Sequence, residues 1–183
     1  MNHPFYYYYK TVLVPQYMEE HNIINEHKVP KIEKIIISRG IGKSNTLQVN
    51  NYVEESLKEF ELISGQKPML TRSKKHIAAF KVRKGMILGI YVTLRGYKMY
   101  AFLQKLIHLI LPGIRQFQGL KLNNFDRQGN ITFGIFSQSQ IPELPYIPRQ
   151  EIRGFHITLQ TTARTPSQAL TLCTLLGLPS NSI

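Results

Sequence analysis

Residue types that carry much of enzyme chemistry are scarce in this chain. It has one cysteine, Cys173, and one aspartate, Asp126, and it has no tryptophan. A single cysteine excludes a disulfide within the chain, and it leaves no second thiolate for a zinc site. The six histidines are scattered, with no His-x-x-x-His pair. The sequence therefore predicts no metal site, no cofactor and no catalytic residues.

Long hydrophobic runs are also absent. No segment approaches the roughly 20 apolar residues that a membrane-spanning helix needs. The aromatic run Phe5–Tyr9 is followed by Lys10 and then by Glu19 and Glu20, which is typical of neither a secretory signal nor an arginine-rich transit peptide. We therefore expect no signal peptide and no transmembrane segment. Either the protein is made where it works, or a presequence is not part of this chain.

Acidic residues are missing from one long stretch of the sequence. The 183 residues include 23 Lys and Arg against 11 Asp and Glu, for a net charge of +12. Residues 67–98 contain no Asp or Glu. Solvated helix faces usually intersperse glutamate with lysine, so a one-sided run indicates a polyanionic partner such as nucleic acid. Nine basic residues lie in this stretch: Lys67, Arg72, Lys74, Lys75, Lys81, Arg83, Lys84, Arg95 and Lys98.

The hydrophobic pattern predicts an α+β fold, with an antiparallel or mixed sheet and helices packed on one face. β-branched residues predict a strand over 32–38, and apolar residues at helical spacing predict helices over 47–63 and 97–111. The other face of the sheet would remain free to meet a partner. The remaining predicted elements are a helix over 5–21 that Pro15 starts or kinks, strands over 77–82, 86–94, 131–136 and 155–161, a turn over 126–130, a proline-rich loop over 141–148, and a helix over 166–176.

The length and the continuous pattern favour a single domain over residues 1–183. Within it, residues 1–27 form an N-terminal helical extension, and residues 73–85 form a protruding basic loop. The loop prediction rests on the placing of charge, because Lys74-Lys75 and Arg83-Lys84 bracket an apolar segment. A hairpin-like excursion would therefore carry cations at both of its ends.

The predicted chemistry is phosphate contact by lysine together with bidentate or stacking contact by arginine. Nothing in the sequence resembles a DNA recognition helix, because the charges fall on strands and loops. Such a surface suits the shape and the 2′-hydroxyls of RNA.

Two other classes of function are compatible with a basic surface. An enzyme that processes or modifies RNA would need a convergent acid–base or metal set, which the scattered histidines and the single aspartate disfavour. A membrane-surface binder would need a basic amphipathic helix. The best apolar helix, over 97–111, is apolar nearly all round, as buried helices are.

A series of short motifs lies in order along residues 28–179. They are Ser64-Gly-Gln-Lys-Pro68, Thr71-Arg-Ser-Lys-Lys75, Ala78-Ala-Phe-Lys-Val-Arg-Lys-Gly85, Val92-Thr-Leu-Arg-Gly96, Met99-Tyr-Ala-Phe-Leu103, Leu111-Pro-Gly-Ile-Arg115, Phe117-Gln-Gly119, Asn124-Phe-Asp126, Gly129-Asn130, Pro142-Glu143, Arg153-Gly154 and Thr161-Thr-Ala163. No single motif is specific, but their combination and order are, and together they resemble bacterial-type ribosomal protein L5.

The resemblance implies a structural protein of the central protuberance of the large ribosomal subunit, with an α+β sandwich fold. Members of that family bind 5S rRNA and large-subunit rRNA, touch P-site tRNA with a basic loop, and bridge to a protein of the small-subunit head. The resemblance implies rRNA contacts at Ser38, Gln66, Lys67, Arg72, Thr93 and Arg95. It implies tRNA contacts at Ser73, Lys74, Lys75, His76, Lys81, Arg83 and Lys84. It also implies no membrane partner and no small-molecule substrate.

The chain departs from the family pattern at a few positions. Ser38 stands where asparagine is usual, so a hydroxyl replaces a bidentate amide. Gln116 and His156 replace common aspartates, and Phe136-Ser137 replaces an Arg-Glu pair. The Ile- and Tyr-rich composition and the divergent N-terminus resemble organelle-encoded members. A plastid ribosome is the favoured location, and a mitochondrial one is the alternative.

Overall fold

The computed structural model describes residues 3–41, 49–114, 117, 119–137, 141, 143–144 and 153–180, with the side chains of residues 49–51 left aside. Gln116, the start of the helix predicted from residue 47, and most of the proline-rich segment over 141–148 therefore lie outside the described residues.

The fold is α+β, as predicted, and its sheet is antiparallel. The strands are β1 (Ile32–Gly40), β2 (Met69–Arg72), β3 (Ile87–Leu94), β4 (Ile131–Ile135) and β5 (Phe155–Thr161). Their order in the sheet is β2-β3-β1-β5-β4. The helices are α1 (Pro4–Tyr8), α2 (Val14–His21), α3 (Val49–Ser64), α4 (Gly96–Lys105), α5 (Leu111–Gly113) and α6 (Pro166–Leu175).

Side chains along the strands alternate between buried and half-exposed positions, as a period of two requires. In β1, Ile35 and Ile37 are buried, whereas Lys34, Ile36 and Ser38 are half-exposed. In β5, Phe155, Ile157, Leu159 and Thr161 are buried. One face of these strands therefore belongs to the core, and the other is partly open to solvent.

Two helices widen into a π turn immediately before a proline. Tyr9–Leu13 forms the π turn between α1 and α2, and Leu106–Ile110 forms the one between α4 and α5. Pro15 and Pro112 each lie one residue past the amide that closes the π turn. A proline ring in an α-helix collides with the carbonyl four residues earlier, and widening the turn relieves that collision. The helix predicted over 5–21 is thus present as α1, the π turn and α2, with Pro15 in the first turn of α2.

The chain divides into two compact units, each built from separate segments. The first comprises Met1–Ile35, Leu94–Phe133 and Thr158–Ile183, and the second comprises Ile36–Thr93 and Gly134–Ile157. The single-domain assignment, with its N-terminal extension and protruding loop, stays a prediction.

The first unit is closed by contacts between the N-terminal helices and the C-terminal segment. The hydroxyl of Tyr17 donates to the main-chain oxygen of Gln168 at 3.4 Å.

The predicted turn over residues 126–130 is present. There the Asp126 carboxylate accepts from the main-chain amide and the side-chain amide of Asn130, at 2.7 and 3.0 Å. The bond from the Asn130 side chain contributes most and the bond from its main-chain amide contributes next. Together they hold the pKa of Asp126 below its usual value.

Candidate nucleic-acid interface

Most of the acid-free stretch, from Lys67 to Thr93, lies in the second unit and contains a hairpin. Strands β2 and β3 pair antiparallel, with Met69 opposite Tyr91 and Arg72 opposite Ile87, and the register shifts between Thr71 and Arg72. The segment between Arg72 and Ile87 is called the basic loop. Strand β2 was not predicted, because its four residues are mostly exposed and lack an apolar alternation.

The hairpin needs a glycine where β3 passes close to other chain segments. A Cβ on Gly89 would lie 2.8 Å from the main-chain oxygen of Arg39 and 3.0 Å from the Oγ1 of Thr71. Real Cβ atoms do not approach a backbone oxygen so closely, so any side chain there would force the backbones apart.

The base of the basic loop is held by main-chain and side-chain hydrogen bonds. The amide of Ser73 donates to Met86 O and the amide of Gly85 donates to Ser73 O, both at 2.9 Å. Gly85 has a φ of 86°, in the left-handed region that glycine enters without strain. Arg72 Nη1 donates to Gly85 O at 3.2 Å, and Ser73 Oγ donates to Lys75 O at 2.6 Å. Ser73 is therefore a buried turn residue within the predicted tRNA-contacting set.

The tip of the basic loop is a compact turn, and the strand predicted over 77–82 is wrong. Ile77 and Val82 exchange two main-chain hydrogen bonds of 3.0 and 3.1 Å, which form a single bridge. Between them, residues Ala78–Phe80 form one 3-10 turn, and Lys81 has a φ of 53°. A 3-10 turn followed by a left-handed lysine interrupts a β ladder, so the segment closes on itself.

Cations cover the basic loop and the segment just before it, and no carboxylate neutralises them within the described part of the chain. Lys67, Arg72, Lys74, Lys75, His76, Lys81, Arg83 and Lys84 are all exposed. The ion pairs found among the described residues involve Arg39 and Arg153 instead. The Nδ1 of His76 accepts from the Lys84 amide at 3.4 Å, so this histidine also shapes the loop. The basic loop thus presents uncompensated positive charge on a closed backbone.

Gln66 and Thr93, for which the resemblance implies rRNA contacts, lie next to each other. Gln66 Nε2 donates to Thr93 O at 3.2 Å, and the Gln66 amide donates to Ser64 Oγ at 3.2 Å. Gly65, with a φ of 60°, ends α3 and turns the chain toward β3. Both side chains are half-exposed. The structure describes no partner for the Oε1 of Gln66 or for the Thr93 hydroxyl.

Ser38 lies on the half-exposed face of β1, whereas the adjacent Arg39 points into the core at 4% exposure. Arg39 Nη1 pairs with Glu59, and Arg39 Nε donates to Gly154 O at 3.0 Å. The guanidinium lies 5.0 Å from the centre of the Phe60 ring. Glu59 also accepts from Arg153 Nη1 at 3.4 Å. These two arginines thus hold α3, β1 and the start of β5 together.

Sequence reasoning missed this buried ion-pair network, although a signal for it was present. Arg39 continues the inward register of Ile35 and Ile37 on β1. A cation at such a position requires a buried carboxylate as its partner. The carboxylate that supplies it, Glu59, is also buried, at 7% exposure.

Arg95 belongs to the first unit. It occupies the N-cap position of α4, but its side chain makes no capping hydrogen bond. It is exposed, as is Lys98 one turn later. Its predicted rRNA contact stays a prediction.

The described residues give little support to other site chemistries. Cys173 is fully buried in α6, and burial raises the pKa of its thiol to about 12. No group of three His, Cys, Asp or Glu in the described ranges could hold a metal ion. Within those same ranges, no helix combines the length and hydrophobicity that crossing a bilayer requires.

The chain matches known proteins over nearly its whole length. Residues 25–83 match the family model of ribosomal protein L5, and residues 87–180 match the model of the C-terminus of the same ribosomal protein family. The chain is similar to large ribosomal subunit protein uL5c of Helicosporidium sp. subsp. Simulium jonesii, at 60% identity over 98% of this chain and 99% of that protein. It is also similar to uL5c of Rhodomonas salina, at 46% identity over 95% of each chain. A cyanobacterial relative, uL5 of Gloeothece citriformis (strain PCC 7424), is 45% identical over 94% of each chain.

Proposed function

Because the chain belongs to the ribosomal protein L5 family of large-subunit structural proteins, we propose that it binds 5S rRNA in the central protuberance. In the same proposal it contacts large-subunit rRNA and P-site tRNA and bridges to a protein of the small-subunit head. It acts by binding, without turnover of a substrate.

The observation that carries the proposal is the uncompensated charge of the basic loop and its flanks. Seven Lys and Arg side chains between Lys67 and Lys84 are exposed, and none pairs with a carboxylate among the described residues. Exposed cations on a fixed backbone attract phosphates and displace the counterions condensed on RNA. Contacts of this kind set register and affinity more than sequence choice.

The groups beside this charge suit RNA better than DNA. Gln66 and Thr93 offer an amide and a hydroxyl on a strand-and-turn surface, and Ser38 adds a hydroxyl on the half-exposed face of β1. Short polar side chains of this kind can bond to 2′-hydroxyls and to the edges of unpaired bases. Ser38, Gln66, Lys67, Arg72, Thr93 and Arg95 are therefore proposed for rRNA, and the basic loop is proposed for tRNA.

The location follows from the relatives rather than from the fold. The suffix in uL5c marks chloroplast forms, and such proteins from several algae are 43–60% identical to this chain. We propose a plastid ribosome, with a mitochondrial ribosome as the alternative. Cofractionation of the protein with large subunits from isolated organelles tests the location directly.

Binding of 5S rRNA at several salt concentrations tests the function. The variant K67A/R72A removes two proposed phosphate contacts, so the negative slope of log K against log salt should become less steep by roughly 1.5–2. The control K28A/R127A removes the same charge from exposed positions outside the proposed surface, and it should keep the parent slope. Weak binding of 5S rRNA by the parent, or equal slopes for the two variants, would overturn the proposal. Altered nucleotides in the recovered RNA would indicate an RNA-processing enzyme instead.

A further inference from the structure

A cavity of about 560 Å³ lies in the first unit, beside the N-terminal helices. Its volume falls within the roughly 300–1,000 Å³ typical of small-ligand sites. Its walls come from α1, the first π turn and α2, from the start of β1, and from the first turn of α4. The lining residues that matter for its chemistry are Tyr6, Tyr9, Tyr100, Lys10, Lys31, Glu26 and Glu33.

Three tyrosine rings form one side of the cavity. The rings of Tyr6 and Tyr100 meet edge to face, with centroids 5.3 Å apart. Tyr9 lies 6.5 Å from each of them, and its hydroxyl donates to Pro30 O at 3.1 Å. The cluster is therefore fixed on one side by a hydrogen bond, and it offers aromatic surface to the cavity.

The hydroxyl of Tyr100 is an unusual feature of this wall. Tyr100 is only 8% exposed, yet none of the described residues accepts or donates a hydrogen bond at its hydroxyl. Buried polar groups nearly always have a partner, so such a group suggests an occupant of the cavity. Burial raises the pKa of Tyr100 to about 12, so the hydroxyl keeps its proton and can act as a donor at neutral pH.

Charges of both signs stand at the same cavity. Lys10 and Lys31 are exposed lining residues, and neither forms an ion pair with a described carboxylate. Glu26, also exposed, likewise has no cation partner among the described residues. A second carboxylate, Glu33, also lines the cavity, and it accepts from Gln160 Nε2 at 3.3 Å. The cavity thus offers two cations for an anion, one carboxylate, Glu26, with no donor among the described residues, and an aromatic wall.

From this combination, we infer that the cavity receives one unstacked nucleotide of bound RNA. A base packs against Tyr6 and Tyr100, the two lysines hold its phosphates, and Glu26 with the Tyr100 hydroxyl bonds to the base edge or the ribose. The inference rests on the proposed function, since RNA must bind nearby. A base inside a duplex cannot enter, so the site favours bulged or single-stranded nucleotides.

Other ligands fit the lining less well. An apolar ligand would bury the hydroxyl and displace water from the charged side chains of the lining without replacing those contacts. A divalent cation needs several oxygen ligands, mainly carboxylates, and the described residues contain no suitable cluster. A nucleotide can stack its base on the tyrosine rings, place its phosphate beside the two lysines and donate a hydrogen bond to Glu26.

Adenosine 5′-monophosphate, added to the full chain with ¹³C-labelled tyrosine rings, is the first probe. It should shift the Tyr6 and Tyr100 signals, with adenosine and inorganic phosphate each binding more weakly. The variant K31Q should weaken binding by about three- to tenfold. The control K28Q removes the same charge three residues earlier and should leave binding unchanged. Absent shifts, or equal losses in K31Q and K28Q, would overturn the inference.

A pair of RNA hairpins then separates this inference from the proposed function. The two hairpins are identical except for one bulged adenosine. The parent should bind the bulged hairpin more tightly, and Y100F and K31Q should each reduce that preference, whereas Y7F and K28Q should keep it. If the hairpins bind equally while the salt-dependent binding of 5S rRNA holds, only the pocket is wrong. If 5S rRNA binding itself fails, the proposed function is wrong.

Discussion

The side-chain amide of Gln66 is bonded to the main-chain oxygen of Thr93 at 3.2 Å, which ties the end of α3 to β3 across 27 residues of chain. The bond uses one N–H of the amide and leaves its oxygen available. Gln66 therefore has two roles: it joins two elements and presents an acceptor beside the Thr93 hydroxyl.

Replacing Gln66 should affect both roles. Q66A should lower the free energy of unfolding by about 0.5–1.5 kcal/mol, the usual value of one hydrogen bond. It should also weaken 5S rRNA binding by about tenfold through the lost amide contact. Urea unfolding and a 5S rRNA titration measure the two effects. Q104A, at an exposed position on α4, serves as the control. Unchanged RNA affinity in Q66A would remove this residue from the proposed surface.

Removing charge from the basic loop should change tRNA binding without unfolding the protein. The loop is closed by main-chain bonds of Ser73, Gly85, Ile77 and Val82, none of which needs a lysine side chain. K74A/K75A/R83A/K84A should make the negative slope of log K against log salt for tRNA binding less steep by roughly 3. The matched control, K28A/K58A/K121A/R127A, removes three lysines and one arginine from exposed positions. Equal slopes for the two variants would contradict the assignment of the loop.

Phe80 at the tip of the basic loop should contribute by stacking. It is 62% exposed between cations, and stacking of one base on an aromatic side chain is worth about 1–3 kcal/mol. F80A should therefore weaken tRNA binding by at least about fivefold and leave the unfolding midpoint unchanged. Phe136, 93% exposed and outside the loop, provides the comparison as F136A. If both changes weaken binding equally, general hydrophobicity explains the effect.

Breaking the pair between Arg39 and Glu59 should be costly. R39M leaves the Glu59 carboxylate buried without its nearest cation, and losses of about 3–5 kcal/mol are typical of such changes. R39M/E59Q should recover part of this loss, because it removes the uncompensated charge as well. K58M changes an exposed neighbour on α3 and should alter stability by less than about 0.5 kcal/mol. Urea unfolding of the four proteins gives the comparison, and an R39M variant as stable as the parent would show that the pair is not needed.

Acidification should weaken the turn that Asp126 organises. Because the folded pKa of Asp126 lies below its unfolded value, the stabilisation is complete above the unfolded pKa, near pH 4, and is lost as the pH falls through the folded pKa. D126N should be less stable than the parent at pH 7, and this difference should shrink as the pH is lowered below about 4. E61Q, at an exposed site, should show no such trend. A difference that stays constant with pH would assign the effect to geometry alone.

Local signals in the sequence were sufficient for the elements that depend on neighbouring residues. The β-branched run of β1, the apolar spacing of α4 and the Asp126 turn were predicted correctly because each is encoded within a few positions. Strand β2 was missed because it is short and exposed, so only its pairing with β3 identifies it.

Long-range contacts explain most of what the sequence did not reveal. Arg39 bonds to residues 20 and 115 positions away, and no local pattern names such partners. The cavity beside Tyr100 likewise depends on helices and strands from distant segments. The prediction of a strand over Ile77–Val82 failed although it rested on a local signal. Its composition suits a strand, but the left-handed Lys81 turns the chain back after one bridge.

The closed backbone of the basic loop has a kinetic consequence. Ordering a free segment of this length on contact would consume about 1–2 kcal/mol per residue in lost backbone entropy. Here that loss occurs when the protein folds, so an approaching polyanion has only side chains to immobilise. Docking should then proceed at a rate set by diffusion and charge attraction, without a slow search for loop conformation.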